Sequence, residues 1–260
     1  MKKVLIIGDS CIDMFIYGNC NRLCPEAPVP IFNPIRTVGN GGMAINVYEN
    51  LKALGVECDI LTNDLRPVKT RYVDEISNQM LLRVDQKDST FPMKREDLSK
   101  FDLSFYEAVI VSDYDKGFLS IEDIVHISNN HPLIFMDSKK SLYGWCDYIE
   151  FIKINQKEFI QSKDYLIGSF PGDLIVTKGS EGSVLYHNDD GEIKEESFLI
   201  EEKHDVRDLS GAGDTFLAAL VAKYLENHDI CEAIRFANKC AAWVVTQKGV
   251  VSIDIKKAGL

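Results

Sequence analysis

The stretch DLSGAGDTFLAAL, residues 208–220, sets Gly211 and Gly213 around Ala212, follows them with Asp214 and runs on into an apolar segment. An aspartate at the start of a helix satisfies unpaired N–H groups and suits the positive end of the helix dipole, so capping alone accounts for Asp214. It does not account for the glycines. Glycine lets a backbone turn sharply and approach a ligand closely, so Gly211-Ala212-Gly213 predicts amides left open for an anion such as phosphate. Asp214 then faces the phosphate and can take a proton from an attacking hydroxyl.

Two further groups of residues invite a similar question. In GNGGMAIN, Gly39 to Asn46, the pair Gly41-Gly42 lets backbone lie against a ligand, and Asn46 can both donate to and accept from hydroxyls. The same stretch fits a dinucleotide fingerprint as Gly39-x-Gly41-x-x-Ala44, with Asp59 and Asp64 about 20 residues further on. An NAD-type dehydrogenase therefore stays open on this motif alone. Asn155-x-x-Glu158 reads equally as a capping box or as oxygen ligands for a hydrated Mg²⁺ beside a polyphosphate.

Elements must carry these residues to one place. VLIIG, residues 4–8, reads as a buried strand, and GMAINVYENLKALG places Ala44, Ile45, Tyr48, Leu51 and Leu54 on one helix face with Gly55 as its cap. Between them, Pro25, Pro28, Pro30 and Pro34 mark an excursion that suits edge strands or a flap. TRYVDEISNQMLLRVD predicts a hairpin about Ser77-Asn78 that joins it in a small second sheet. The remainder alternates strands (108–113, 133–137, 148–155, 173–177) with helices (120–130 and a short one over 156–162). It continues with a hairpin turning near Asp190-Gly191 and ends in helices over 214–227 and 229–247. Asp13, Asp113, Asn155 and Thr177 all follow strands, where open α/β sheets bind ligands.

Composition limits the partners. The chain has 260 residues with 45% hydrophobic and 27% charged, enough for one large domain with a sizeable core. A formal charge of −11 excludes non-specific nucleic-acid binding, which needs a basic footprint, so any anionic ligand must be held by local cations. Seven cysteines without a CxxC pair read as free thiols in a reducing, cytoplasmic setting, and no apolar run is long enough for a membrane span.

Taken in this order, the motifs resemble the ribokinase-like (PfkB) family of carbohydrate kinases: DLSGAGDTF matches its carboxyl-terminal signature, GGMAIN its amino-terminal one, and Asn155 to Glu158 its NxxE motif. GDSCIDMFIYG, RLCPEAPVPI, KTRYVDEISNQMLLRVD and VSDYDKG are similar to the D-glycero-β-D-manno-heptose 7-phosphate kinases. The resemblance implies a three-layer α/β/α core over residues 1–260 as a single kinase domain, a β-sheet lid from excursions about 13–36 and 69–86, and a homodimer contact through that lid. It implies transfer of the ATP γ-phosphate, with Mg²⁺ and a K⁺ ion, to a sugar hydroxyl, O1 of a heptose 7-phosphate in that subfamily. Asp214 matches the general base, and Gly211, Ala212 and Gly213 match the anion hole. Asp13, Gly41, Gly42 and Asn46 match the sugar side. Asn155 and Glu158 match the Mg²⁺ and phosphate side, Thr177, Gly179, Gly182 and Asn238 the nucleotide side, and Asp208 lies near the monovalent cation. Lys69 and Arg71, then Arg22 and Lys116, are the cations available for a substrate phosphate.

Three departures accompany the resemblance. Only LRPV separates ILTND from KTR, so one peripheral α/β unit is missing; Asp115 stands where the subfamily has glycine; and Cys24 stands where serine is common. Another sugar as acceptor, and a binding protein that keeps the fold without catalysis, both remain open.

Overall fold

The computed structural model describes residues 3–189, 192–200 and 205–260. The chain begins with β1 (Lys3–Gly8), β2 (Ser10–Asn19), β3 (Asn33–Met43), α1 (Ala44–Ala53), β4 (Glu57–Thr62), β5 (Val68–Asp74) and β6 (Met80–Gln86). It continues through α2 (Arg95–Leu98), β7 (Ala108–Asp113), α3 (Ile121–Asn130), β8 (Ile134–Ser138), β9 (Phe151–Asn155), α4 (Gln156–Gly168) and β10 (Asp173–Thr177). It closes with β11 (Ser183–Asp189), β12 (Glu192–Phe198), α5 (Ala212–Asn227), α6 (Ile230–Val244) and α7 (Ile255–Ala258).

An eight-stranded sheet runs β12-β11-β10-β9-β8-β7-β1-β4, parallel from β10 to β4 and antiparallel at the β11–β12 edge. Strands buried on both faces read as continuous apolar runs, which is why VLII and AVIV are strands without alternation. Val4 and Ile6 pack with α1, α5 and α6 on one face, while Leu5 and Ile7 pack with α3 and α4 on the other. The result is three layers, α/β/α. No helix among the described residues is long and apolar enough to cross a membrane.

A second sheet, β3-β2-β5-β6, stands off the first. Cys11, Asp13, Phe15 and Tyr17 alternate inward along β2, and Lys69, Arg71 and Val73 are the buried side of β5. This lid is longer than the excursions at 13–36 and 69–86, because β2 leaves the core two residues after β1 and β3 returns as far as Met43, at the start of α1. Residues 63–67 alone join β4 to β5, with no intervening helix or strand, as the short LRPV connection requires.

Several boundaries differ from the sequence reading. Helix α4 runs to Gly168 because Phe159, Ser162 and Leu166 extend its buried face. Helix α5 starts at Ala212 rather than 214, since Gly211 takes the left-handed N-cap conformation (φ +82°) and draws two more residues into the first turn. Helix α6 covers Ile230–Val244 rather than 229–247, and α2 and α7, four residues each, carry too little periodicity to be read. The expected turn at Asp190-Gly191 lies outside the described residues.

Candidate active site

Helix α5 points its first turn at the carboxyl ends of the parallel strands. Asp214, 4% exposed, does not cap that helix. Its carboxylate reaches away: Oδ2 accepts from the Asn46 side-chain amide at 3.0 Å and Oδ1 from the Tyr114 hydroxyl at 2.6 Å. The backbone amides of Gly213 and Asp214 have no acceptor among the described residues, and that of Ala212 has only a long bond to Leu209 O (3.4 Å). A helix N-terminus with open amides favours an anion. Gly211 is required at its position, because a Cβ there would lie 2.6 Å from Asn46 Nδ2 in addition to the positive φ. A Cβ on Gly213 would meet Lys153 Nζ at 3.0 Å, so a buried ammonium lies beside the same turn.

Asn46 is positioned from α1, and its carbonyl oxygen accepts from Asn50 Nδ2 at 3.0 Å. Asn46 thus holds Asp214 through its amide nitrogen, and its side-chain oxygen, accepting one bond, keeps capacity for a hydroxyl donor. Tyr114 is held through Asp9, whose Oδ2 accepts from the Tyr114 amide (2.7 Å) and the Lys116 amide (3.3 Å) and whose Oδ1 accepts from the Phe118 amide (3.3 Å). Asp9 O also accepts from Ala44 N (2.9 Å), so one residue ties the β7 loop to the start of α1. Burial raises the Asp214 pKa to about 6, opposed by its bonds from Tyr114 and Asn46 and by Lys153. Burial, reinforced by Asp214, keeps the Tyr114 phenol well above its ordinary range and therefore a donor.

The lid supplies the other wall. Asp13 pairs with Arg71, both buried, and a Cβ on Gly42 would sit 2.1 Å from Asp13 Oδ2, so only glycine leaves that carboxylate its place. Gly41 likewise admits Ile45, which a Cβ would approach to 2.1 Å. Lys69, directly opposite Asp13 in the β2–β5 register and 9% exposed, has no carboxylate partner among the described residues; its Nζ lies 5.7 Å from the Tyr114 ring centre. Arg22 is exposed in the lid loop, and Lys116 is engaged by Asp88 at 2.6 Å. Asp115, left-handed at φ +54°, has its charge met by Lys140 at 2.8 Å.

Toward β9 and β10 the picture changes. Asn155 and Glu158 form a complete capping box: Asn155 Oδ1 accepts from the Lys157 and Glu158 amides (2.9 and 3.0 Å) and Glu158 Oε2 from the Asn155 amide (2.8 Å). Glu158 Oε1 also takes Lys139 Nζ at 2.7 Å. Asp137 lies between two lysines, Lys139 at 3.0 Å and Lys153 at 2.6 Å. Burial opposes its charge, but Lys153 and Lys139 hold its carboxyl below the ordinary range; burial likewise opposes Lys139, which Asp137 and Glu158 keep raised. No group of three or more His, Cys, Asp or Glu side chains among the described residues forms a closed metal cage. Glu158 and Asp137 offer the hard carboxylate oxygens that Mg²⁺ takes, directly or through water, and in this structure Lys139 and Lys153 engage them.

Thr177 lies beside Asn155 in the β9–β10 register, with Oγ1 donating to Ile154 O at 3.3 Å. Gly179 (φ +61°) and Gly182 (φ +90°) turn the loop that follows, and a Cβ on Gly182 would strike Phe198 O at 2.0 Å. Asn238 donates from its amide nitrogen to Ser183 Oγ (2.9 Å) and Phe198 O (3.2 Å), joining α6 to the β11–β12 edge. Asp208 Oδ1 accepts from the Ser210 amide at 2.8 Å and shapes the turn before α5.

The dinucleotide reading of Gly39 to Ala44 fails on topology. Gly39, Gly41 and Gly42 lie in β3, paired antiparallel with Met14, Ile12 and Cys11, rather than in a turn that follows a parallel strand and presents amides to a pyrophosphate. Sequence reasoning gave no role to Tyr114, Asp137, Lys139 or Lys153. Lys153 carried a usable signal, a lysine inside the apolar run FIKIN, and such a charge is buried only with a partner.

The sequence profile described as pfkB family carbohydrate kinase matches residues 136–257. A bifunctional protein HldE from Helicobacter pylori (strain J99) is 30% identical over 311 aligned positions, covering all of this chain and 66% of the relative. The chain therefore spans 66% of that relative's length. HldE from a Nitratiruptor species is 28% identical, covering 98% of the chain and 64% of the relative. Among solved structures, a nucleoside kinase from Methanocaldococcus jannaschii, an archaeal ribokinase-family member, superposes with a TM-score of 0.72 at 19% identity, covering 100% of this chain and 97% of the other. A ribokinase from Thermotoga maritima gives 0.75 at 17% identity, covering 100% and 98%. The last two show a shared ribokinase-like fold.

Proposed function

The chain belongs to the pfkB family of carbohydrate kinases, and from that premise we propose that it transfers the γ-phosphoryl group of ATP to a hydroxyl of a phosphorylated sugar. The observation that carries this is Asp214: a buried carboxylate in the first turn of α5, held by Asn46 and Tyr114 instead of by its own helix, beside unpaired amides. Asp214 takes the proton of the acceptor hydroxyl as the bond to phosphorus forms. The amides of Gly213 and Asp214, with Lys153 next to them, stabilise the charge spread over the transferring phosphoryl oxygens. Asp13, held by Arg71, orients the sugar, and Lys69, a buried cation with no close ion pair among the described residues, meets its phosphate. Glu158, Asn155 and Asp137 would hold Mg²⁺ through water, and the ion would supply positive charge to offset that of the nucleotide phosphates.

The acceptor we infer is D-glycero-β-D-manno-heptose 7-phosphate, phosphorylated at O1, a reading supported by similarity along this whole chain to 66% of the HldE relative and by Lys69. A transfer assay with this sugar, ribose, fructose and fructose phosphates tests it, and turnover confined to unphosphorylated sugars would overturn the role of Lys69. Asp214→Asn should lower kcat by 10² or more, roughly the contribution of a general base, while ADP binding by calorimetry stays intact. Unchanged turnover would remove Asp214 as base.

A further inference from the structure

The geometry points to Tyr114 as the positioning residue of the base: its hydroxyl fixes Asp214 Oδ1 and favours the ionised carboxylate that receives the acceptor's proton. The inference rests on the reading of Asp214 as general base and adds the device that keeps that base usable in a buried place.

Three observations carry it. The Tyr114 hydroxyl donates to Asp214 Oδ1 at 2.6 Å, a short bond of the kind made to a charged acceptor. The backbone of Tyr114 is fixed independently, by its amide to Asp9 Oδ2 at 2.7 Å, so the phenol is delivered by the β7 loop rather than by the helix that carries the base. Two ammonium groups lie over its ring, Lys69 Nζ at 5.7 Å from the lid and Lys139 Nζ at 5.1 Å from the β8 end. One lysine faces the proposed sugar phosphate and the other contacts Glu158 on the nucleotide side. Tyr114 thus touches the groups proposed for both substrates, with the base at its hydroxyl. With Asn46 on Oδ2 and Tyr114 on Oδ1, each carboxylate oxygen keeps capacity for one more donor, which leaves room for the acceptor hydroxyl.

Other groups act on Asp214 from the surrounding elements. Lys153 on β9 favours its charge, Asp137 on β8 opposes it, and Cys11 on β2 faces it as a thiol that burial and Asp13 push up to about 12. Tyr114→Phe leaves all of these in place and removes one donor to the ionised form. The Asp214 pKa should then rise, because a hydrogen bond to the charged form is lost while burial is unchanged.

The test uses protein labelled with ¹³C at aspartate Cγ, the Asp214 resonance being assigned by its loss in Asp214→Asn, so the readout needs no substrate. Tyr114→Phe should raise the Asp214 midpoint by about one pH unit. With heptose 7-phosphate and Mg-ATP, kcat/KM should fall about tenfold on the acid side and recover most of the loss above the shifted midpoint. An unshifted midpoint, or a loss of kcat/KM equal at every pH, would overturn the inference as a merely structural role. Should the phenylalanine variant fail to fold, replacement of Tyr114 by 3-fluorotyrosine keeps the shape with a stronger donor, and the midpoint should move down; no movement overturns the inference. Turnover retained in Asp214→Asn would refute the base assignment itself and is distinguishable, since the Tyr114 shift is read without turnover.

Discussion

The acceptor half and the nucleotide half of the site are built on opposite principles. Around Asp214 and Asp13, side chains reach across the molecule: Asn46 from α1 to α5, Tyr114 from the β7 loop, Arg71 from β5 to β2, with Lys69 left without a close ion pair among the described residues. Around Asn155, Thr177 and Asn238, polar groups find partners within the protein, in a capping box, a neighbouring strand and the β11–β12 edge. The first half exposes demands that only a ligand meets. The second is complete as protein and must exchange bonds, or recruit water, when a nucleotide arrives. A motif is therefore better evidence of chemistry where the fold leaves its residues unsatisfied or turned away from their own element.

Arg71 gives the largest test of that contrast. In Arg71→Met the Asp13 carboxylate stays buried without its cation, a change that typically costs roughly 3–5 kcal/mol. Urea denaturation should show a loss of that order, and kcat/KM for the acceptor should fall 10²-fold or more while KM for Mg-ATP stays near that of the wild type. An equal loss on both substrates would mean the two halves are not separately built.

The next effect concerns Asp214 itself. Its native pKa, about 6, exceeds the ordinary 3.8, so between these values the folded protein binds more protons than the unfolded chain, and stability falls as pH rises through that window. Asp214→Asn removes the cost of a buried charge, on the order of 3 kcal/mol at pH 8, but an asparagine oxygen in place of two carboxylate oxygens forfeits about 1 kcal/mol of hydrogen bonding. Melting curves should show the variant more stable than wild type at pH 8 by roughly 2 kcal/mol, the advantage vanishing toward pH 4. A pH-independent difference would place the Asp214 charge in a better solvated setting than its burial implies.

The sequence disclosed the acceptor half unevenly, for a physical reason. Gly211, Gly213 and Asp214 were legible because glycine next to an acid at a helix start has few structural purposes, and the β1, β7 and β9 runs were legible because strands covered on both faces lose their alternation. Asp137, Lys139, Lys153 and Tyr114 were not, since the second lysine reaches Asp137 only when β9 pairs with β8, and Tyr114 arrives from the separate loop after β7, which no local spacing announces. The same gap covers the protein partners of Asn46 and Asn238: their types suggested ligand contact, while the tertiary neighbours that engage their amide nitrogens were not readable from local spacing. The lid was read as a sheet from its prolines and hairpin but drawn short at both ends, because β2 and β3 continue into the core without a break in pattern.

Glu158 offers the smallest and finest test, because there the capping and the metal readings coexist in one residue. A capping box accepts glutamine in place of glutamate, so Glu158→Gln preserves the bond from the Asn155 backbone amide while removing the charge that faces Lys139 and the bond that Oε1 accepts from Asn155 Nδ2. The stability of α4 should change by no more than about 0.5 kcal/mol in denaturant titration. The Mg²⁺ concentration giving half-maximal activity should nevertheless rise roughly tenfold, the scale seen when a group that acts on a metal through an outer shell is altered. If both quantities stay at wild-type values, Glu158 is a cap and nothing more, and the nucleotide half must take its metal from Asp137 and the phosphates alone. A rise far beyond 10²-fold would instead mean direct ligation, with the Lys139 contact broken when Mg²⁺ binds.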